Sequence, residues 1–168
     1  MLSHEITFPN GIIVLMIKSF GYSYREAPTV NMSKHDSFPG FEQCIKMMAS
    51  RNPQISEEGF HSLLTHAHEY VTQLIEVYSN GNSGISEYWL LELIVEAHSA
   101  ETMPLLLQAL QHKDNHFRKL AATGIKQLNT KEARQMLWEV RSNYGFETPE
   151  ETQKFQQMLD ELMGWHIR

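Results

Sequence analysis

The chain has 168 residues, a net charge of −6 and a hydrophobic fraction of 42%, which together indicate one folded globular domain and exclude a largely disordered chain. Its single cysteine, Cys44, excludes an internal disulfide and a cysteine-rich zinc site, and its apolar neighbours predict a buried thiol. No apolar run approaches the roughly 20 residues that span a bilayer, and the start MLSHEITF lacks the basic region of a secretory signal. We therefore expect a cytoplasmic protein that contacts no membrane.

Residues 1–36 form an irregular N-terminal segment for which two structures are possible. Asn10-Gly11 lies between two apolar runs and favours a small β-hairpin within residues 4–17, because both residues accept positive φ. The alternative is a helix that begins after Pro9 and ends near Phe20, since an apolar run this short does not fix the period. The turn-rich remainder of the segment predicts a loop or an arm.

Two helices are predicted next. The first runs from Ser37 to about Ala49 and is stopped by Asn52-Pro53. The second begins at Ser56, carries a wide apolar stripe, and ends at Asn80-Gly81, which makes it the longest predicted helix of the chain.

Residues 84–143 contain a repeat with a period of about 31 residues. When residues 87–110 are shifted onto residues 118–141, apolar positions coincide at helical spacing, which predicts four short amphipathic helices and an all-α fold. The coinciding apolar pairs are Leu90 and Ala121, Leu91 and Ala122, Ile94 and Ile125, Ala97 and Leu128, Leu105 and Met136, Leu106 and Leu137, and Ala109 and Val140.

The first helix of this repeat, over residues 87–98, is apolar on most sides. Its narrow polar stripe consists of Tyr88, Glu92, Glu96 and Ser99, so we expect neighbouring helices around most of its surface. Pro104 fits the first turn of the next helix, where a missing amide is tolerated. Three more helices follow, over residues 116–128, 131–143 and 148–163, and the last begins at Thr148-Pro149 and is expected to cap the end of the stack.

The stretch ETMPLLLQALQHKDNHFRKLAATGIKQLNTKEARQMLWEV resembles HEAT-like repeats of the phycobilisome-lyase type, whose pattern is roughly E-A-x-P-x-L-x-x-A-L, a short turn with Asp, and V-R-x-x-A-A-x-A-L. Phe117 replaces the usual Val, and Gly124 stands where Ala is commoner. The resemblance implies a single α-solenoid of stacked antiparallel helix pairs over residues 1–168, with a structural turn in which Arg118 contacts Asp114. The matching residues are Glu101, Pro104, Leu106, Ala109, Leu110, Asp114, Arg118, Ala121, Ala122 and Leu128.

Charge is distributed unevenly along the chain. Residues 52–112 contain eight glutamates and no Lys or Arg, whereas residues 113–143 contain seven Lys or Arg and three acids. Ordinary helical surfaces mix both signs, so this segment predicts a surface that binds a basic protein and repels nucleic acid. The eight glutamates are Glu57, Glu58, Glu69, Glu76, Glu87, Glu92, Glu96 and Glu101.

Small, acidic helical-repeat chains of this kind resemble bacterial immunity proteins, which bind a cognate toxin of contact-dependent inhibition or a related system. The resemblance implies a protein that occludes the active site of a basic toxin, such as a nuclease. The alternatives are an adaptor or accessory protein like those of bilin attachment and phycobilisome turnover, or a solenoid enzyme of the DNA-repair type. We expect the partner to contact Glu69, Tyr70, Glu76, Tyr88, Glu92 and Glu96.

No catalytic site is predicted. The sequence has no Gly-rich phosphate loop, no Gly-x-Ser-x-Gly turn and no Cys-His nucleophile pair, so we expect neither an enzyme nor a cofactor. His61, His66 and His68 lack the spacing of a zinc-protease helix, and we interpret them as surface or half-buried residues rather than as metal ligands.

Overall fold

The computed structural model describes residues 38–81 and 83–165 of the chain. Within these ranges the secondary structure is helical and no strand occurs, which confirms the predicted all-α class for this part of the chain. The hairpin or helix predicted within residues 4–17, and the rest of residues 1–36, lie outside the described residues. The α-helices are α1 (Phe41–Met48), α2 (Pro53–Leu64), α3 (Val71–Asn80), α4 (Glu87–Glu96), α5 (Met103–Ala109), α6 (Asn115–Gln127), α7 (Lys131–Asn143) and α8 (Pro149–Met163), and two 3₁₀ helices span Ala67–Glu69 and Ala100–Thr102.

The first two helices begin at other residues than the sequence predicts. Helix α1 starts at Phe41, after Gly40 in a positive-φ conformation, rather than at Ser37. Asn52 caps α2, because its side chain accepts a hydrogen bond from the Gln54 amide (3.0 Å). The helix therefore begins at Pro53 and not at Ser56. Ser56 lies buried inside α2, where its hydroxyl donates to the Pro53 carbonyl (2.9 Å).

The prediction of one long helix from Ser56 to Asn80 is wrong, because the chain leaves the α-helix between α2 and α3. Residues 65–70 combine Thr, His and Tyr, which are weak helix formers, and the 3₁₀ turn there is held by local and tertiary contacts. His66 Nδ1 lies 2.8 Å from Glu69 Oε1, and Tyr70 stacks on Phe41 of α1 with ring centroids 5.2 Å apart. These contacts favour the break over a continuous helix.

Helices α1 and α2 approach each other closely at a glycine. Gly59 is buried. A Cβ atom added to it would lie 2.7 Å from the Cβ atom of Met47 and 2.9 Å from the carbonyl oxygen of Cys44, both in α1. Only a residue without a side chain permits this distance between the two backbones. The contact covers Cys44, whose side chain is fully buried.

The helices pack in a regular order. Helix α2 packs against α4, α4 against α6, and α6 against α8, so that the even-numbered helices form a row. Each odd-numbered helix packs against the even-numbered helix that follows it, and α7 also contacts α6. A single core runs through this arrangement, and its large, fully buried side chains include Leu63, Leu74, Leu91, Ile94, Leu106, Ile125, Leu137, Phe155 and Leu159.

Burial follows the sequence repeat at its central positions. Both members are buried in the pairs Leu90 and Ala121, Leu91 and Ala122, Ile94 and Ile125, and Leu106 and Leu137. Met136 differs, because it is 37% exposed although its counterpart Leu105 packs against the core. Helix α7 buries the stripe of Ala133 and Leu137, and Met136 lies beside that stripe rather than on it.

Cap chemistry sets the ends of the later helices. The Thr130 and Thr148 hydroxyls accept hydrogen bonds from the third amide of α7 and α8, at 3.0 and 3.2 Å, and α8 ends at Gly164 in a left-handed conformation. None of the helices in the described ranges combines the length and apolar character that crossing a bilayer requires.

Candidate protein-binding surface

Helix α4 carries three of the expected contact residues, which are Tyr88, Glu92 and Glu96. Packing against the neighbouring helices buries Leu90, Leu91, Leu93, Ile94 and Val95, so the helix cannot rotate about its axis without exposing them. The opposite side carries Glu92, which is half-buried, and Glu96, which is exposed. Their spacing of four residues places the two carboxylates on adjacent turns, where like charges repel.

The environment of Glu92 disfavours its charge. Burial and the neighbouring Glu96 raise the pKa of Glu92, and His61 of α2 partly opposes this shift. Within the described part of the chain, neither Lys nor Arg contributes to this shift. Acids with a shifted pKa occur often at functional sites, so Glu92 remains a candidate contact residue.

Replacing Glu92 with Gln is expected to leave the protein at least as stable at neutral pH. Because the pKa of Glu92 is raised in the folded state, the folded state binds the proton more tightly than the unfolded state does. The stability of the wild type therefore increases as pH falls through the pKa of the folded state, and the increase is complete below the ordinary pKa of about 4.5. The advantage of Glu92→Gln should therefore shrink toward pH 4.5 in urea unfolding measured over that range. A variant that is less stable at neutral pH, by an amount independent of pH, would contradict this account.

The two tyrosines expected at the surface are engaged in packing. Tyr88 lies edge-on to Phe117 of α6, with ring centroids 5.4 Å apart, and Tyr70 stacks on Phe41 and also contacts Phe38. Both remain half-buried. Each tyrosine therefore presents only one edge to a partner, and most of its aromatic area already stabilises the fold.

The remaining expected residues lie on different elements. Glu69 closes the 3₁₀ turn after α2, where it contacts His66 (2.8 Å) and approaches His68 Nε2 (4.0 Å). Glu76 is exposed on α3. The structure thus groups Glu92 and Glu96 with His61, and separately joins Glu69 and Tyr70 to the aromatic residues that precede and begin α1.

The structure also has a groove beside α2, and the sequence analysis named none of its lining residues as contact residues. We call it the α2 groove; its volume is about 480 Å³. The polar positions of α2 recur at spacings of three and four residues, a pattern visible in the sequence, but the aromatic wall comes from the residues before α1. The groove is lined by Phe38, Pro39, Glu58, His61, Ser62, Thr65 and His66.

The turn between α5 and α6 is braced differently from the expected contact of Arg118 with Asp114. Asp114 caps α6 by accepting a hydrogen bond from the His116 amide (2.8 Å). Arg118 is 5% exposed and donates to the His112 and Lys113 carbonyls at 3.0 and 3.3 Å, and to Glu151 of α8 at 3.0 Å. Its guanidinium also lies 4.5 Å from the ring centroid of Phe146. Arg118 therefore joins the turn to α8, and the Asp114 side chain caps the start of α6.

Within residues 38–81 and 83–165, no group of three or more His, Cys, Asp or Glu side chains is arranged to hold a metal ion. Comparisons of the chain with protein-family models, with curated proteins and with solved structures give no significant match. The chemistry of this chain's own residues therefore carries the case for its function.

Proposed function

We propose that this protein binds and neutralises a basic protein partner, and that the partner is a cognate bacterial toxin, most simply a nuclease, whose active site the protein covers. The observation that carries the proposal is the set of eight glutamates in residues 52–112. Seven are exposed and Glu92 is half-buried, and in the described part of the chain none of them forms an ion pair with Lys or Arg.

Electrostatics gives this surface its proposed role. A nuclease must attract polyanionic nucleic acid, so its active-site cleft carries positive charge, and an acidic surface is complementary to such a cleft. Complementary charge accelerates encounter and makes association depend on salt. The proposed contact surface centres on Glu92 and Glu96 of α4, with Glu69 and Glu76 and the exposed edges of Tyr70 and Tyr88 contributing.

We further propose that the helices form a HEAT-like stack. The row of α2, α4, α6 and α8, with an odd-numbered helix packed on each, supports this arrangement, as does burial that recurs with the repeat. In such a stack each pair contacts only its neighbours, so a long surface stays open for a partner. The proposed mechanism is occlusion by this surface, with no catalytic step by the protein itself.

The proposal predicts that a toxin domain is encoded beside this protein's gene, and that domain provides the test. Co-expression of the two chains is expected to restore growth to cells that the toxin domain alone arrests, and the purified complex should be stoichiometric and lack nuclease activity. A neighbouring gene without a toxin domain, or a toxin domain that this protein neither binds nor inhibits, would overturn the proposal.

Reversing the charge of Glu92 and Glu96 to Lys is expected to slow association with the toxin by about tenfold or more at low ionic strength. The salt dependence of the association rate should also flatten, because the attraction that salt screens has been removed. Stopped-flow or surface plasmon measurements at several ionic strengths check both effects.

The matched control is the double variant Glu147→Lys and Glu161→Lys. Both residues are exposed and lie outside residues 52–112, so the control changes the net charge equally at another location. It is expected to change association much less than the α4 variant. Equal effects of the two variants would show that net charge alone matters, and that α4 is not the contact surface.

A further inference from the structure

One wall of the α2 groove is a flat pair of rings. Phe38 and His66 stack with centroids 4.0 Å apart and an interplanar angle of 26°. Glu69 holds the imidazole in place through the 2.8 Å contact with Nδ1, and this fixes the plane that the groove presents. Both rings are half-buried, so part of this aromatic surface faces the groove.

Apart from Pro39, the other residues that line the groove are polar. Glu58 is an exposed carboxylate one helical turn before His61, and the Ser62 and Thr65 hydroxyls follow on the same side of α2. Among the residues that the structure describes, no Lys or Arg lines the groove, and the lining residue His61 also interacts with the charge of Glu92. The groove therefore combines a negative field with an aromatic plane.

We propose that the α2 groove binds an arginine side chain of the basic partner. A guanidinium is planar, stacks on aromatic faces, and donates paired hydrogen bonds to a carboxylate, so it matches the ring pair and Glu58 together. The ammonium of Lys is a compact, strongly hydrated charge that cannot stack in this way. This inference rests on the proposed function, because it names the residue through which the partner inserts into the surface.

The first test uses the full chain and N-acetyl-arginine amide as the probe, followed through the imidazole C–H signals of His61 and His66 in NMR spectra. Saturable shifts of both signals are expected with the arginine probe, weaker shifts with N-acetyl-lysine amide, and none with N-acetyl-glutamine amide. Equal responses to all three probes, or no response to arginine, would overturn the inference.

Glu58→Gln is expected to weaken binding of the arginine probe by roughly threefold or more, since it removes the charge that pairs with the guanidinium. Glu147→Gln makes the same change at an exposed position far along the chain and should leave the affinity unchanged. Both variants should unfold at the wild-type urea concentration because both side chains are exposed. Equal affinity of the two variants for arginine would contradict a role for Glu58.

Measurements of toxin binding distinguish failure of the arginine site from failure of the proposed function. Thr65→Arg supplies a guanidinium at the end of α2 and is expected to fill the groove and weaken toxin binding. Tight toxin binding that neither Thr65→Arg nor Glu58→Gln affects would overturn the arginine site and leave the proposed function standing. If the NMR shifts are selective for arginine but the protein binds no toxin, the arginine site is supported and the proposed function is overturned.

Discussion

Gly59→Ala is expected to lower the free energy of unfolding by about 1–3 kcal/mol, although Ala is the better helix former. The added methyl group would lie 2.9 Å from the Cys44 carbonyl oxygen and 3.0 Å from the Met48 amide nitrogen. Both are backbone atoms of α1, so no side-chain rotation can relieve the overlap and the two helices must separate. Urea unfolding of the variant and the wild type measures the loss.

Cys44 provides an independent measurement of that separation. Its thiol is fully buried under the contact of α1 and α2, and burial raises the pKa of the thiol, so the native protein should react slowly with a thiol reagent. In Gly59→Ala the reaction should be faster under native conditions, since α1 opens more readily. Because Cys44 is the chain's only cysteine, the rate reports this site alone.

Gly145→Ala is the matched control. A Cβ atom at Gly145 would lie 3.7 Å from Thr152 Oγ1, an ordinary van der Waals distance, so the unfolding free energy should stay within about 0.5 kcal/mol of wild type. Thiol reactivity should not change either. Wild-type stability and an unreactive Cys44 in Gly59→Ala would mean that α1 and α2 do not need to approach so closely.

Arg118→Met is expected to destabilise the protein by about 2–3 kcal/mol. The substitution leaves the His112 and Lys113 carbonyls and the Glu151 carboxylate without their shared donor. The loss should fall below that of a fully buried ion pair, because Glu151 is 39% exposed and water can solvate it. The Nε atom of Arg118 is itself buried without a hydrogen-bond partner among the described residues, which further reduces the net contribution of the native side chain.

Two further measurements locate the effect of Arg118→Met. Amide hydrogen exchange should accelerate most in α8, which loses its attachment to the turn between α5 and α6. Glu151→Gln keeps an oxygen acceptor for Arg118 and should cost less than about 1 kcal/mol. If Glu151→Gln destabilises the protein as much as Arg118→Met, the charge of Glu151 rather than the two carbonyl contacts accounts for the effect of Arg118.

The helices after residue 84 could be predicted closely because their ends depend on local chemistry. Thr148-Pro149 gives α8 its start, and the predicted bounds of α7 match Lys131–Asn143. The break between α2 and α3 could not be predicted in this way. It depends on Tyr70 packing against Phe41, a contact between residues 29 positions apart that periodicity does not reveal.

The candidate surface also combines features that follow from the local sequence with features that depend on tertiary contacts. The spacing of Glu92 and Glu96 on one helix places their side chains together, since four residues make about one turn. The burial of Tyr88 depends on Phe117, and the aromatic wall of the α2 groove depends on the contact of Phe38, before α1, with His66, after α2. Such features need the tertiary arrangement, whereas the charge of residues 52–112 needs only the sequence.

The far end of the helix row carries an indole pair. Trp138 of α7 is 50% exposed and lies edge-on to Trp165, which follows α8, with ring centroids 5.3 Å apart. Because Trp138 belongs to α7 and Trp165 follows α8, the relative orientation of the two rings changes whenever the end of α8 moves away from α7. The third tryptophan, Trp89, packs against Phe60 in the region of α2 and α4. Intrinsic fluorescence should therefore distinguish fraying of the last helix from a disturbance near the α2 groove, with Trp89→Phe separating the two signals.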